Sequence, residues 1–417
     1  MSIEKGNRLQ RMPTSHKWNF KSRFRREAYG WKGTALASKR MREAVSEIKK
    51  VARKDPPLAA EGVVELFCRL YPALMMIDTS SGALGTAMNK TIDQLVPVLI
   101  KADWPMNTRG NWLQKLYVAV QEDGWGTFDN LRDRWGELCV YPGLAHLWAD
   151  ELLPTVKDVL SSHEYAYSVA TDTCLSCLLY TKRYEEIHEL LQLQHKPFWN
   201  YNKFWAMALT RQSKIDEAIA YAQSMQANGS EEVSVNQFCE NALLQAGRIE
   251  EAYERYAMKM PLHGTYLNVY RGICKKYPAI DKKKILLDCI KRTVDKGSWF
   301  AAAKDAGFLD IALECAQRSG AHPDTLLRAC RDFAGRNVEF SIQVGIQGIL
   351  KLITETLYEE VMPYEVNVAY DTVEKIAVAS NLLEPFQAQL GREVMKRSQL
   401  CKPRLREALV RKLQKSV

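Results

Sequence analysis

No stretch of this 417-residue chain approaches the roughly 18 uninterrupted apolar residues that a membrane-spanning helix needs. The two most apolar segments, around residues 58–77 and 95–100, are interrupted or closed by Glu65, Arg69 and Lys101. The opening MSIEKGNRLQRMPTSHKW is polar and basic with no apolar centre, unlike a secretory signal. Paired cysteine spacing is also missing. Ten cysteines are scattered singly, apart from Cys174 and Cys177, and most sit inside apolar helical patterns. That is the usage of free buried thiols in a reducing compartment, and the expected location is the cytoplasm. Alternating strand patterns are almost absent. So are G-x-S-x-G, the phosphate-loop GxxxxGK[ST], a dinucleotide G-x-G-x-x-G and HExxH. Without strands to project a rigid constellation, an enzyme would need a site between helices, and the sequence offers none. The expectation is therefore no catalytic residue, no metal and no cofactor.

What is present begins with charge. The total is +9, but residues 1–53 hold 15 Lys/Arg against 4 Asp/Glu, and residues 392–417 hold 9 against 2. The stretch between carries the balancing −9. Basic ends on an acidic body are read in two ways: as solvated tails, or as contacts for nucleic acid or an acidic protein, since Lys/Arg clusters supply most non-specific phosphate affinity.

Apart from the basic lead, nearly every segment has helical periodicity. Residues 35–53 space Leu36, Met41, Val45, Ile48 and Val51 along one stripe, with Lys and Arg opposite. A buried partner helix is expected over 58–77, followed by helices at 82–101, 107–122, 127–138, 143–161 and 163–180. A repeat is then legible. ALTRQSKIDEAIAYAQ starts at Ala208 and ALLQAGRIEEAYERYA at Ala242, 34 residues later. Looser copies occur at Arg183-Tyr184-Glu185-Glu186-Ile187, at Ala279-Ile280-Asp281-Lys282-Lys283 and at Phe308-Leu309-Asp310-Ile311-Ala312. A helix pair cannot bury its apolar face alone, so copies stack on one another. The fold class expected is all-α, a tetratricopeptide-like α-α superhelix with atypical capping helices at both ends. One long apolar helix is expected over 341–357 and two closing helices over 382–413. The expected division is a basic, partly flexible segment 1–33, an N-terminal helical domain 34–162, repeats 163–322 and a basic-ended cap 323–417.

Several motifs together resemble a known type of protein. They are Tyr29-Gly30-Trp31-Lys32, Ile77-Asp78-Thr79-Ser80-Ser81-Gly82, Asp123-Gly124-Trp125-Gly126-Thr127-Phe128-Asp129, and the repeat turn Gln245-Ala246-Gly247-Arg248-Ile249-Glu250-Glu251-Ala252. Over about residues 22–320 the chain resembles a stand-alone bacterial helical-repeat domain of unknown function, similar to the helical region that follows the finger in bacterial SWIM zinc-finger proteins. The C-x-C and C-x-H of the finger are not found here, so a nucleic-acid role belonging to the finger does not carry over. The resemblance implies a bacterial helical scaffold of unassigned biochemistry.

Candidate sites are weighed on chemistry. Three carboxylates and two aromatic rings in QEDGWGTFDN (121–130) could hold a metal, but two glycines between helices make the turn a cap and hairpin signature. Cys174, Cys177, His188 and His195 give C-x2-C-x10-H-x6-H, whose gaps depart from zinc-finger spacing, and CLSCLLY reads as buried helix. For a protein partner in the concave groove of the repeats, the candidates are Trp199, Tyr201, Lys203, Trp205, Arg211 and Tyr221, because Trp, Tyr and Arg dominate interface energetics. The expected function is thus a non-catalytic scaffold for protein–protein interaction. The alternative is a nucleic-acid-associated factor, of a mobile-element or phage-defence kind, gripping phosphate through 17–54 and 392–415. Its candidate residues are Lys17, Lys21, Arg23, Arg25, Arg26 and Lys32, interleaved with aromatic rings, and Arg404, Arg406, Arg411 and Lys412. No membrane contact is expected, and the sequence leaves the oligomeric state open.

Overall fold

A computed structural model describes residues 16–162, 168–226, 229–259, 261, 264–355 and 360–415, with only the backbone at 229–231 and 415. Among these residues every regular element is a helix and none is a strand. None of the helices is long and apolar enough to cross a membrane. The first fifteen residues of the basic lead lie outside the described residues, as do His163 and His263.

The periodicity translates closely into helices Thr34–Ala52, Pro56–Leu74, Ala83–Lys101, Met106–Gln121 and Pro142–Ser161. Local chemistry fixes their ends. Asp55, for example, accepts the Leu58 amide at 3.0 Å, and two prolines follow it where a helix start has no amide to lose. The stretch expected as one helix over 127–138 is two short ones, Asp129–Arg132 and Trp135–Cys139. It bends over the buried helix Val169–Tyr180. The Gly136 amide there donates to Ser176 Oγ at 3.1 Å, and a Cβ on Gly136 would stand 2.4 Å from the Ser176 carbonyl oxygen. Only glycine allows that approach.

In residues 17–33 the Phe20, Phe24 and Tyr29 rings dock, each at most 4% exposed, through a 3-10 turn Asn19–Ser22 and irregular backbone. Trp18 lies across Gly62, where a Cβ would meet the indole at 2.4 Å.

The repeat has a concrete backbone basis. At five helix ends the second residue past the helix takes positive φ: Lys182 (62°), Ser213 (63°), Gly247 (76°), Gly307 (83°) and Asn381 (56°). In each, the next residue's amide reaches back five positions. Arg183 reaches Leu178, Lys214 Leu209, Arg248 Leu243, Phe308 Ala303 and Leu382 Ala377, at 2.8–3.0 Å. This is the left-handed closure of a Schellman helix end. In the first three copies, the basic residue after the turn pairs with a glutamate three positions on, at Glu186, Glu217 and Glu251. The copy expected at 279–283 ends its helix differently. Tyr277 precedes Pro278, which disfavours helical continuation, and Asp281 caps the next helix through the Lys284 amide at 2.8 Å. The copy at Asn381 was not among those expected.

Chain contacts divide the protein into two compact units, Met1–Val235 and Asn236–Val417. The first unit holds a continuous apolar core from Trp18 to Ala208. In the second, residues 327–409 build a core around helix Val338–Thr354, helix Pro363–Ala379, which was not anticipated, and the closing helices Leu383–Lys396 and Pro403–Lys415.

Candidate functional site

The carboxylate turn at 121–130 is a mechanical joint. Asp123 accepts the amides of Trp125 (3.1 Å) and Phe128 (2.9 Å), while Gly126 takes φ 70°. Phe128 is fully buried on Phe67, and Trp125 stands edge-on to Tyr71. Asp129 pairs with Arg132, itself fully buried, and Arg132 Nε donates to Asp172 Oδ2 at 3.1 Å. Beside them Lys203 Nζ donates to Asp133 Oδ2 at 2.6 Å. Burial pushes the Asp172 carboxyl up to about 7 against the pull of Arg132, and it raises Asp133 despite Lys203. Asp172 and Asp133 each face a cation from another segment, so the network ties Asp129–Arg132, Val169–Tyr180 and Trp199–Arg211 together.

The residues proposed for a protein-binding groove are largely used by the fold. Trp199 and Tyr201 are each 4% exposed, and the Tyr201 hydroxyl accepts the Ser168 amide at 3.2 Å. Trp205, half-buried, packs on the His188 ring at 4.5 Å. Lys203 is held by Asp133, Arg211 donates to the Leu179 carbonyl at 2.8 Å, and the Tyr221 hydroxyl donates to Asn202. Helix Val169–Tyr180, at the start of the proposed groove, has ten of its twelve residues buried. Trp199 and Tyr201 are therefore core rings, which corrects their reading as surface anchors. A sequence run such as KPFWNYNKFW does not say which side of its helix is covered.

Cys174, Cys177, His188 and His195 take up separate contacts. Cys174 Sγ approaches the Ala149 carbonyl at 3.6 Å, Cys177 lies beside Cys139, and His195 Nε2 is 3.1 Å from the Ser161 carbonyl oxygen. Burial pushes the Cys174 thiol up to about 12 and raises that of Cys177, opposite to the shift a metal ligand or nucleophile needs.

The basic candidates divide similarly. Lys21 is 3.0 Å from Glu65, Arg23 pairs with Glu43, and Arg26 is 3.5 Å from Glu27. Lys17, Arg25 and Lys32 are exposed, as are Arg404 and Arg406. Arg411 and Lys412 pair with Glu407 and Asp371 at 2.5 Å each.

A further group of cations sits on helix Thr34–Ala52 and the residue after it. Arg42, Val45, Ser46, Lys49, Lys50 and Arg53, with Gln94 from helix Ala83–Lys101, line a shallow concavity of about 400 Å³. No carboxylate lines it. Lys49 Nζ donates to Gln94 Oε1 at 2.8 Å, and among the described residues Arg42, Lys50 and Arg53 form no salt bridge. At about 100° per residue, Arg42, Lys49 and Arg53 fall within roughly 20° of one line, and eleven residues at about 1.5 Å each make that line about 16 Å long. The helix's own acids point elsewhere. Glu43 binds Arg23 and Arg40, which hold its carboxyl below the usual range, and Glu47 accepts the Asn19 amide at 2.8 Å. Both glutamates are thus engaged, and neither lines the concavity. Asp93, next to Gln94, is exposed outside the lining. The alternation of Lys and Arg along 39–53 was legible, but which acids would be consumed was not.

Neither a model of a known protein family nor a curated protein matches this chain.

Proposed function

We propose that this protein is a non-catalytic helical-repeat scaffold, its helix pairs stacked as a tetratricopeptide-like solenoid, that associates with nucleic acid through the cationic row on helix Thr34–Ala52. The observation that carries this reading is four Lys/Arg side chains lining one concavity with no acid among them, on a helix whose glutamates are engaged outside it. Lys/Arg rows of this kind gain affinity by releasing counterions from phosphate backbones. Exposed Lys17, Arg25, Lys32, Arg404 and Arg406 add long-range attraction. Binding, rather than chemistry, fits groups whose perturbed carboxyls and thiols lie inside the packing. Ten free cysteines accord with a reducing, cytoplasmic setting.

The test is titration of the full-length protein into labelled nucleic acid at about 50 mM salt, where counterion release favours binding. Binding should be present in the wild type and lost in Arg42→Glu/Lys49→Glu/Arg53→Glu. No binding by the wild type would refute the reading. A protein partner is the second reading, favoured by Tyr364 (64% exposed) and Val368 (60%) one turn apart on helix Pro363–Ala379. Tyr364→Ser/Val368→Ser should then abolish capture of a specific protein while leaving the fold intact.

A further inference from the structure

We infer that the row reads the backbone of a nucleic-acid duplex, without regard to sequence, rather than a single strand; this rests on the nucleic-acid reading above. Three features point to it. First, the lining supplies four cations, a hydroxyl, an amide and one valine, with no aromatic ring. Single-strand binders draw much of their affinity from bases stacked on aromatic side chains, at about 1–3 kcal/mol per base. Of the rings in residues 17–33, Trp18, Phe20, Phe24 and Tyr29 are buried, and Trp31, which is exposed, precedes the helix and does not line the concavity.

Second, the cations form a line instead of converging. A free phosphate or phosphorylated side chain is held by donors gathered around one point. Arg42, Lys49 and Arg53 are instead strung along about 16 Å of rigid helix. Each strand of a duplex places a phosphate every 3.4 Å or so of its axis and winds about half a turn over that length, so a few successive phosphates of one strand face the row. A duplex is stiff over this distance, so two rigid rows meet with little entropy lost. A flexible single strand would have to be straightened to do the same.

Third, the row has no means of reading bases. Its helix is packed along its length against helices Pro56–Leu74 and Ala83–Lys101 and buries Ala37, Met41, Ala44, Val45 and Ile48. A helix so embedded cannot enter a major groove to reach base edges. Contacts of Lys, Arg, Ser and Gln to phosphate oxygens position a protein on a duplex but carry no direct sequence information. An acidic protein partner is disfavoured because Val45 is the only apolar lining residue, and protein interfaces draw their energy from a desolvated apolar centre.

The experiment is fluorescence anisotropy with the full-length protein at several salt concentrations. The probes are two 20-base-pair DNA duplexes of unrelated sequence, one RNA duplex and oligo-dT of equal length. Both DNA duplexes should bind with equal affinity, at least tenfold tighter than oligo-dT; the RNA duplex tests whether either backbone suffices. Arg42→Gln/Lys49→Gln/Arg53→Gln should lower the steepness of log affinity against log salt by about 2.7 on duplex, about 0.9 for each lost phosphate contact. Its circular dichroism should match the wild type, because all three side chains are exposed. Oligo-dT binding as tight as duplex, or a tenfold preference between the two duplex sequences, would overturn this inference while leaving the nucleic-acid reading standing. Failure to bind any of the four probes would refute the reading itself.

Discussion

Two regions of the first unit use positive charge in opposite ways. Around helix Val169–Tyr180, three cations are answered by acids: Arg132 lies between Asp129 and Asp172, Lys203 faces Asp133, and Arg183 is 2.6 Å from both Asp150 and Glu186. On helix Thr34–Ala52, the acids that would answer Arg42, Lys49, Lys50 and Arg53 are engaged by Asn19, Arg23 and Arg40 outside the concavity. The first arrangement is a set of cross-links whose removal damages the fold. In the second, Lys49 donates to Gln94, and among the described residues Arg42, Lys50 and Arg53 form no salt bridge. Composition alone does not separate them. What separates them is whether the partner carboxylate sits on a neighbouring element.

The sharpest way to break the comparison is Arg132→Ala. It would leave Asp172 buried without its main cation and should cost about 3–5 kcal/mol of unfolding free energy in urea. A cost below about 1 kcal/mol would show that the network is no cross-link. Gly136→Ala should lose about 1–3 kcal/mol by forcing a methyl into the Ser176 carbonyl. If both variants unfold with the wild-type midpoint, the packing described around Val169–Tyr180 is wrong.

The network also sets a pH response. The Asp172 carboxyl is raised in the folded protein, to about 7, above its ordinary value of 3.8. The folded state therefore holds this proton more tightly than the unfolded chain does. Its stabilising contribution is complete below about pH 4 and is lost as pH rises through about 7. Asp172→Asn should flatten that part of the stability profile, read from urea midpoints between pH 4 and 8. An unchanged slope would exclude Asp172 as its source.

A smaller effect tests the repeat turn. Asn381 holds φ 56°, where a side chain is strained and glycine is not. Asn381→Gly should raise the thermal midpoint modestly, by up to about 1 kcal/mol of stability. Gly247→Ala at φ 76° should lower it by a similar amount. The smallest stability effect belongs to the open row, where neutralising Arg42, Lys49 and Arg53 should change unfolding by no more than about 0.5 kcal/mol each.

Much of the fold was legible because amphipathic helices announce themselves by spacing. Helix Thr34–Ala52 was placed within a residue or two at each end, and the Gly247-Arg248 turn pointed to its copies at Ser213 and Lys182. Segment 127–138 misled because its break comes from a tertiary contact, Gly136 on Ser176, that no local pattern encodes. Helix Pro363–Ala379 was passed over although Pro363 and Glu365 stand at first-turn positions, and Glu365 accepts the Met362 amide at 2.7 Å. For the proposed site, the sequence pointed to the stretch 17–54 and singled out the interleaved aromatic–basic residues 17–32. Half of those cations turned out to be paired with acids. The row at 42–53 looked like an ordinary solvated helix face, and only the placement of Glu43 and Glu47 shows it to be uncompensated.

The central claim is that the row at Arg42, Lys49 and Arg53 holds a phosphate backbone while the paired cations do not. Its most direct test is the salt dependence of duplex binding, measured side by side for the wild type, for Arg42→Gln/Lys49→Gln/Arg53→Gln and for Arg411→Gln/Lys412→Gln. The account predicts that the first variant loses most of the salt dependence and that the second keeps it. Equal slopes for all three proteins would contradict it.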